Sequence, residues 1–177
     1  MLCPSCSHDN IDGIDECDGC GLPLTEFDYS GSELEQSIVR HAISVLCPKT
    51  PVLIGVDNTI REVIAELVKH GIGCLLVHEN DTLVGIVSER DVLNSFSTDP
   101  AQMDRKVSEV MTADPTSVFI SESIAYALHL MDIGGFRHLP IVDEEGRPVG
   151  IISVRDILRF LCIRFLIWKE IRRIFHT

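Results

Sequence analysis

No lysine or arginine precedes Arg40, although the same stretch carries Asp9, Asp12, Asp15, Glu16, Asp18, Glu26, Asp28, Glu33 and Glu35. A surface of this sign repels phosphate backbones, which disfavours broad nucleic-acid binding. A basic segment leading into an apolar run and a small-residue cleavage site is also missing, so no signal peptide is expected and the cytoplasm is the expected compartment. Near the C-terminus the apolar stretches are interrupted by Arg164 and Lys169. They fall short of the roughly 18 uninterrupted residues of a spanning helix. Neither G-x-x-x-x-G-K-[ST] nor G-x-G-x-x-G occurs, so the usual glycine-rich phosphate loops are not expected. His41, His70, His78 and His129 fall on different expected elements, with no Ser-His-Asp spacing and no paired buried carboxylates to read. An enzymatic role is therefore not expected.

What the chain does have is apolar content and an uneven charge. With 45% hydrophobic residues in 177, it can bury one sizeable core or two small linked ones. Up to Val154 there are 9 Lys+Arg against 25 Asp+Glu, net −16; from Arg155 onward there are 6 against 2, net +4. In a reducing compartment the seven cysteines read as metal ligands and core thiols rather than disulfides.

Residues 1–24 hold Cys3-Pro-Ser-Cys6 and Cys17-Asp-Gly-Cys20, two C-x-x-C pairs separated by ten residues. Each pair turns two thiolates toward one point, and two pairs complete a tetrahedron around an ion. So short a segment has almost no apolar residues for a core, and the metal must supply most of its folding free energy. The first knuckle resembles the C-P-x-C form of zinc ribbons, with Ser7 where that form has glycine; Cys20-Gly21 keeps the glycine. Zinc is the expected metal, and iron in a rubredoxin-like arrangement uses the same four thiolates. His8 breaks the paired spacing and is read as a bystander. An acidic ribbon of this kind should face a protein partner, a basic surface or its own neighbouring domain.

Gly21 to Ser32 reads as a linker punctuated by Pro23, Ser30 and Gly31. From Glu33 to Leu46 the positions Leu34, Ile38, Ala42, Val45 and Leu46 recur at helical spacing, with an S-x-x-E capping box at Ser32 and Glu35. This predicts a helix that ends before Pro48.

An internal repeat then organises the chain, because aligning Pro51 with Pro115 matches residue types in order. Pro51–Ile54 and Pro115–Val118 open the copies as short strands. Helices start near Asn58 and Ser121, with Ile60, Val63, Ile64 and Leu67 on one apolar face and Ile124, Ala127, Leu128 and Met131 on the other. They stop at Gly71 and at Gly134-Gly135. Strands follow at Cys74–Val77 and Leu139–Val142, then acidic turns and second strands. These enter Gly85-Ile-Val-Ser88-Glu-Arg-Asp91 and, 65 residues later, Gly150-Ile-Ile-Ser153-Val-Arg-Asp156. A serine and an acid three apart at a helix mouth either cap that helix or hold an anion on its unpaired N–H groups.

The doubled G-x-x-S-x-x-D, reinforced by Arg137-His138-Leu139-Pro140-Ile141-Val142-Asp143, resembles a tandem pair of cystathionine-β-synthase (CBS) domains, the Bateman module. The resemblance covers roughly residues 36–162. It implies an α/β (α+β) fold of two β-α-β-β-α repeats packed together, and binding of adenosine-containing ligands in clefts between them. Asp91 and Asp156 would accept from ribose hydroxyls, and Ser88 and Ser153 would meet phosphate or ribose. A carboxylate can accept from both vicinal hydroxyls, so the chemistry agrees. Arg137 and His138 could reach a phosphate in the second copy, where the first has Gly73 and Cys74; stronger binding by the second copy is expected.

The last helix should continue from Asp156 towards Phe175, with Arg155, Arg159, Lys169 and Arg173 as a basic stripe beside Phe160, Phe165, Trp168, Ile171 and Phe175. Packing against a second subunit is expected before attachment to a membrane surface. Cys47, Cys74 and Cys162 read as core thiols. The chain thus divides into a ribbon (1–24), a linker and helix start (25–35), repeat 1 (36–100), repeat 2 (101–162) and a helical extension (163–177). The expected function is a non-enzymatic, cytoplasmic, homodimeric sensor of an adenine nucleotide or S-adenosylmethionine, with a metal ribbon for an unknown protein partner. The alternatives are a redox protein with iron in the four-cysteine site and a nucleic-acid-binding regulator.

Overall fold

We describe the protein from a computed structural model covering residues 3, 5, 6, 8–11, 14–22, 24, 38–95 and 100–175. The Ser32–Glu35 capping box and most of the linker lie outside these residues. The chain forms two compact units: Met1–Pro48, Ile120–Leu139 and Ile152–Thr177 make one, and Lys49–Phe119 with Pro140–Ile151 make the other.

In the unit that begins at Lys49, strand β1 (Leu53–Gly55) runs parallel to β2 (Cys74–Glu79) and is joined to it by helix α1 (Ile60–His70). Thr59 and Glu62 close a capping box at the start of α1, and Gly71, at φ 60°, ends it in the left-handed conformation that glycine adopts without a Cβ clash. β3 (Thr82–Ser88) pairs antiparallel with β2. The link between them uses two left-handed residues, Asn80 and Asp81, as a tight hairpin turn requires. Helix α2 (Glu89–Ser95) follows directly.

A strand not anticipated from sequence, β4 (Thr112–Ala113), completes the sheet in the order β1-β2-β3-β4. The strand expected at Pro115–Val118 is reduced to one parallel bridge, Val118 to Ile141. Pro115 has no N–H to continue a ladder, so pairing stops at Asp114, which donates to the Val84 carbonyl at 3.1 Å. The core of this unit gathers Ile54, Ile60, Val63, Leu67, Leu75, Val77, Val87, Val92 and Val107.

The other unit holds helix α3 (Ile124–Gly134) and helix α4 (Val154–Phe175). Strands β5 (His138–Val142) and β6 (Pro148–Ser153) pair as a separate two-stranded sheet, of which residues 140–151 belong to the unit that begins at Lys49. Ser123 caps α3 by accepting from the Tyr126 N–H, and Gly135, at φ 63°, ends it. Ile124, Ala127, Met131, Leu139, Ile152 and Ile157 are buried.

The helix expected from Glu33 to Leu46 is broken. Residues 38–40 are helical, and a 3-10 turn covers Ile43–Leu46. Between them the backbone pairs with the entry to α3: Ile43 N–H donates to Glu122 O at 2.7 Å, and Ile124 N–H to His41 O at 2.9 Å. Those bonds seat Ile43 in the core with no exposure and forbid a continuous helix. Cys47 and Cys162 are exposed rather than core thiols; Cys74 is buried.

Helix α4 reaches Phe175 as expected. Arg155 and Arg159 are exposed, while the side chains of Lys169, Arg173 and the aromatic residues beyond Arg164 lie outside the described ones. Arg164 donates to His41 Nε2 at 2.7 Å and stacks over Phe160, 5.4 Å from the ring centre, which ties α4 to the segment before Cys47. Among the described residues, no helix is long and apolar enough to cross a membrane.

Candidate functional site

The four cysteines converge. Sγ atoms of Cys3, Cys6, Cys17 and Cys20 all lie within 4.8 Å of one another, with Cys3 to Cys20 at 3.7 Å and Cys6 to Cys17 at 3.6 Å. A tetrahedral ion with metal–sulfur bonds of about 2.3 Å has sulfur–sulfur edges of about 3.8 Å. The cage therefore has the size of such a site. Among the described residues it is the one group of this kind, and His8 stands outside it, exposed.

Each knuckle is built by its own backbone. Cys3 N–H donates to His8 O and Cys17 N–H to Leu22 O, both at 2.8 Å. The Ser5 N–H points at Cys3 Sγ (3.4 Å) and the Gly19 N–H at Cys17 Sγ (3.3 Å), as expected for sulfurs that carry negative charge. Buried Asn10, not singled out by the sequence reading, links the knuckles: its Nδ2 donates to His8 O and approaches Cys17 Sγ, and its Oδ1 accepts from Asp18 N–H. An asparagine midway between two C-x-x-C pairs in a segment with so little else to bury was the available signal.

Burial raises the Cys17 thiol, but hydrogen bonds from Asn10 and from the backbone of Gly19 and Cys20 outweigh it and bring the pKa down to about 6. Cys6 and Cys20 are pushed upward, burial being the largest cause for each. Four sulfurs so close and so buried cannot all be thiolates unless a cation joins them. Cys3, Cys17 and Leu24 form the small apolar centre, with Ile14 and Leu22 against it.

The two S-x-x-D signatures adopt the same geometry. In the first, Asp91 Oδ2 accepts from Ser88 N–H at 2.8 Å and from Ser88 Oγ at 2.6 Å. In the second, Asp156 Oδ2 accepts from Ser153 N–H and Oγ at the same two distances. Both sit at helix starts, and in the first the Asp91 N–H also donates to Ser88 Oγ at 3.4 Å, which closes a capping box. The aligned backbone contacts also match: Glu89 N–H donates to Gly73 O at 3.1 Å, and Val154 N–H to Arg137 O at 3.0 Å. The signature glycine of the first copy has a steric reason, since a Cβ on Gly85 would collide with the Met111 side chain.

The surroundings differ. Beside the first box, Cys74 pairs across the sheet with Ser88, and its buried thiol is pushed up to about 12 by desolvation and by the Glu89 and Asp91 carboxylates. Beside the second box stand exposed Arg137 and half-buried His138.

Comparison with known proteins agrees with the repeat. The family model described as "CBS domain" matches residues 43–98 and 107–163. A 17.7 kDa protein of Acidianus ambivalens is 38% identical over 104 residues, covering 58% of this chain and 62% of that protein. The chain thus spans less than two thirds of that relative. Among solved structures, a CBS domain protein from Pyrobaculum aerophilum complexed with AMP is 29% identical with a TM-score of 0.60, covering 70% of this chain and 99% of that one. The CBS domain pair of protein MJ0100, in complex with 5-methylthioadenosine and S-adenosyl-L-methionine, is 25% identical with a TM-score of 0.62, covering 70% and 98%.

Proposed function

This chain belongs to the CBS-domain family, and we propose that it is a cytoplasmic, homodimeric regulatory protein that binds an adenine nucleotide or S-adenosylmethionine and carries a structural metal ribbon. The observation that carries the reading is the doubled box. Asp91 and Asp156 are each held at a helix start with one oxygen gathering two hydrogen bonds from the signature serine. A carboxylate so placed suits two ribose hydroxyls, and the neighbouring helix N–H groups suit phosphate. AMP in one structural relative and two adenosyl compounds in another support that ligand class.

The second box is the stronger site in this reading, because Arg137, His138 and Val154 stand where the first has Gly73, Cys74 and the acidic Glu89. Ligand binding regulates by favouring one arrangement of the repeats over another. The ribbon, residues 1–24, holds zinc on Cys3, Cys6, Cys17 and Cys20 and meets a protein partner; repeats at 36–100 and 101–162 and the extension at 163–177 complete the division. Iron fits the same thiolates, and elemental analysis with the visible spectrum separates the two metals.

Calorimetry tests the nucleotide reading. Asp156→Ala or Arg137→Ala should weaken binding about tenfold or more, the worth of a charge-assisted hydrogen bond, and Ser88→Ala much less. No heat with AMP, ADP, ATP or S-adenosylmethionine on the intact chain would sink it.

A further inference from the structure

We infer that helix α3 of the second repeat is the seat of the ribbon, and that metal loading and the order of α3 are coupled through two hydrogen bonds to ribbon carbonyls. The inference rests on the metal reading above and adds a coupling to it. Ser123 Oγ donates to Ser5 O at 2.6 Å while accepting from the Tyr126 N–H at 3.0 Å. One side chain therefore caps the helix and grips the first knuckle. Further along, His129 Nε2 lies 3.0 Å from Cys20 O; a carbonyl only accepts, so this nitrogen bears the proton. Ser5 sits between the first two ligands and Cys20 is the fourth, so each knuckle is held once.

Positions 123, 126 and 129 recur every three residues and share one face of α3. Half-buried Tyr126 lies between the two hydrogen bonds, where its hydroxyl is affected by burial first, then by Glu122 and by Cys20 and Cys6. The opposite face, Ile124, Ala127 and Met131, is in the core. Ser5 is only 3% exposed, a degree of burial that a polar residue in so small a ribbon gains by being covered.

The sequence of α3 carries the same message independently. Aligned with α1, Arg61 becomes Ala125, Glu62 becomes Tyr126 and Glu66 becomes Leu130, all half-buried. Residues 124–131 contain no Asp, Glu, Lys or Arg. A helix facing water on its outer side keeps charges there; this one has exchanged them for groups that suit a covered face.

The coupling follows from the shape of the knuckles. Both carbonyls belong to turns held by the sulfur cage, and when the metal leaves nothing bonds the four sulfurs to one another, so those turns are free to part. Ser123 and His129 then lose their acceptors. Because the seat binds the folded ribbon and not the unfolded one, it must in return tighten metal binding, which slower release to a competing chelator would register.

The experiment uses the full chain, loaded with zinc or stripped by a chelator, and follows amide exchange of residues 124–134 with the rate of zinc transfer to a chelating dye. Stripping should speed exchange in α3 about tenfold. His129→Ala should speed zinc release about tenfold, the usual effect of losing an outer-shell partner, and His129→Gln, which keeps an N–H donor, should restore part of it. Ser123→Asp keeps the helix cap but has no proton to give Ser5, so it should match His129→Ala without unfolding α3. Zinc bound at one per chain, with α3 exchange unchanged on stripping and wild-type release from both variants, would overturn the coupling alone. A chain that holds no metal even after reconstitution would overturn the ribbon reading and the coupling with it.

Discussion

Helices α1 and α3 hold aligned positions in the two repeats, yet their outward faces differ in kind. On α1, Glu66 is 2.9 Å from Lys69 and 3.0 Å from His70, and Arg61 reaches Asp104 at 3.0 Å. On α3 the corresponding face carries Ala125, Tyr126, His129 and Leu130, and two of its groups are bonded to the ribbon. The inward faces scarcely differ: Ile60, Val63 and Leu67 on one match Ile124, Ala127 and Met131 on the other. The fold dictates what a repeat buries, and its neighbour dictates what it shows. Exposed pairs such as those on α1 contribute little stability, so their meaning is that this face meets water.

The largest effect should come where the repeats are most alike. Leu75 and Leu139 are aligned strand residues with no exposure, and truncating either to alanine should cost about 2 to 5 kcal/mol. Urea denaturation of the two variants would show this; a cost below 1 kcal/mol for one alone would break the equivalence of the two cores. Next come the boxes. Ser88→Ala and Ser153→Ala each remove the hydroxyl's hydrogen bond to the signature aspartate, worth about 1 to 2 kcal/mol, so without ligand their denaturation midpoints should fall by similar amounts. Adding AMP should separate them, with Ser153→Ala losing more of the ligand's stabilisation. Equal loss would mean that Arg137 and His138 confer no asymmetry.

Acid should separate α1 from α3 by the smallest margin. Glu62 is held below its ordinary value, chiefly by the Thr59 N–H. Its contribution is therefore present above the usual carboxylate range and lost as pH falls through the lowered folded value. Glu122 is raised by burial, so its charge opposes folding above the ordinary range and protonation relieves it. Glu62→Gln should then destabilise at neutral pH with the gap closing below pH about 4, and Glu122→Gln should stabilise slightly at neutral pH. Denaturation curves at several pH values that show the same sign for both would contradict the assignment.

Much of this could be read beforehand, for physical reasons. Paired cysteine spacing encodes a site because four thiolates have few other uses together, and the cage closes as expected. Gly71 and Gly135 end their helices because left-handed backbone favours glycine. The break at His41 and Ala42 was not legible, since helical spacing says nothing of a competing backbone partner on residues 122–124. β4 was missed because two residues carry no period. The ribbon's seat was written in α3 as missing charge, but a covered face reads the same as a core face until the cover is seen.

The ribbon and its seat belong to one covalent chain, and that changes how strong their contact must be. Two hydrogen bonds, about 1 kcal/mol each, would not hold two separate molecules together in dilute solution. A tether presents each side to the other at an effective concentration on the order of millimolar, where a contact too weak to join separate molecules still forms repeatedly and opens readily. The seat at Ser123 and His129 can therefore release the ribbon to a competing surface without the chain coming apart.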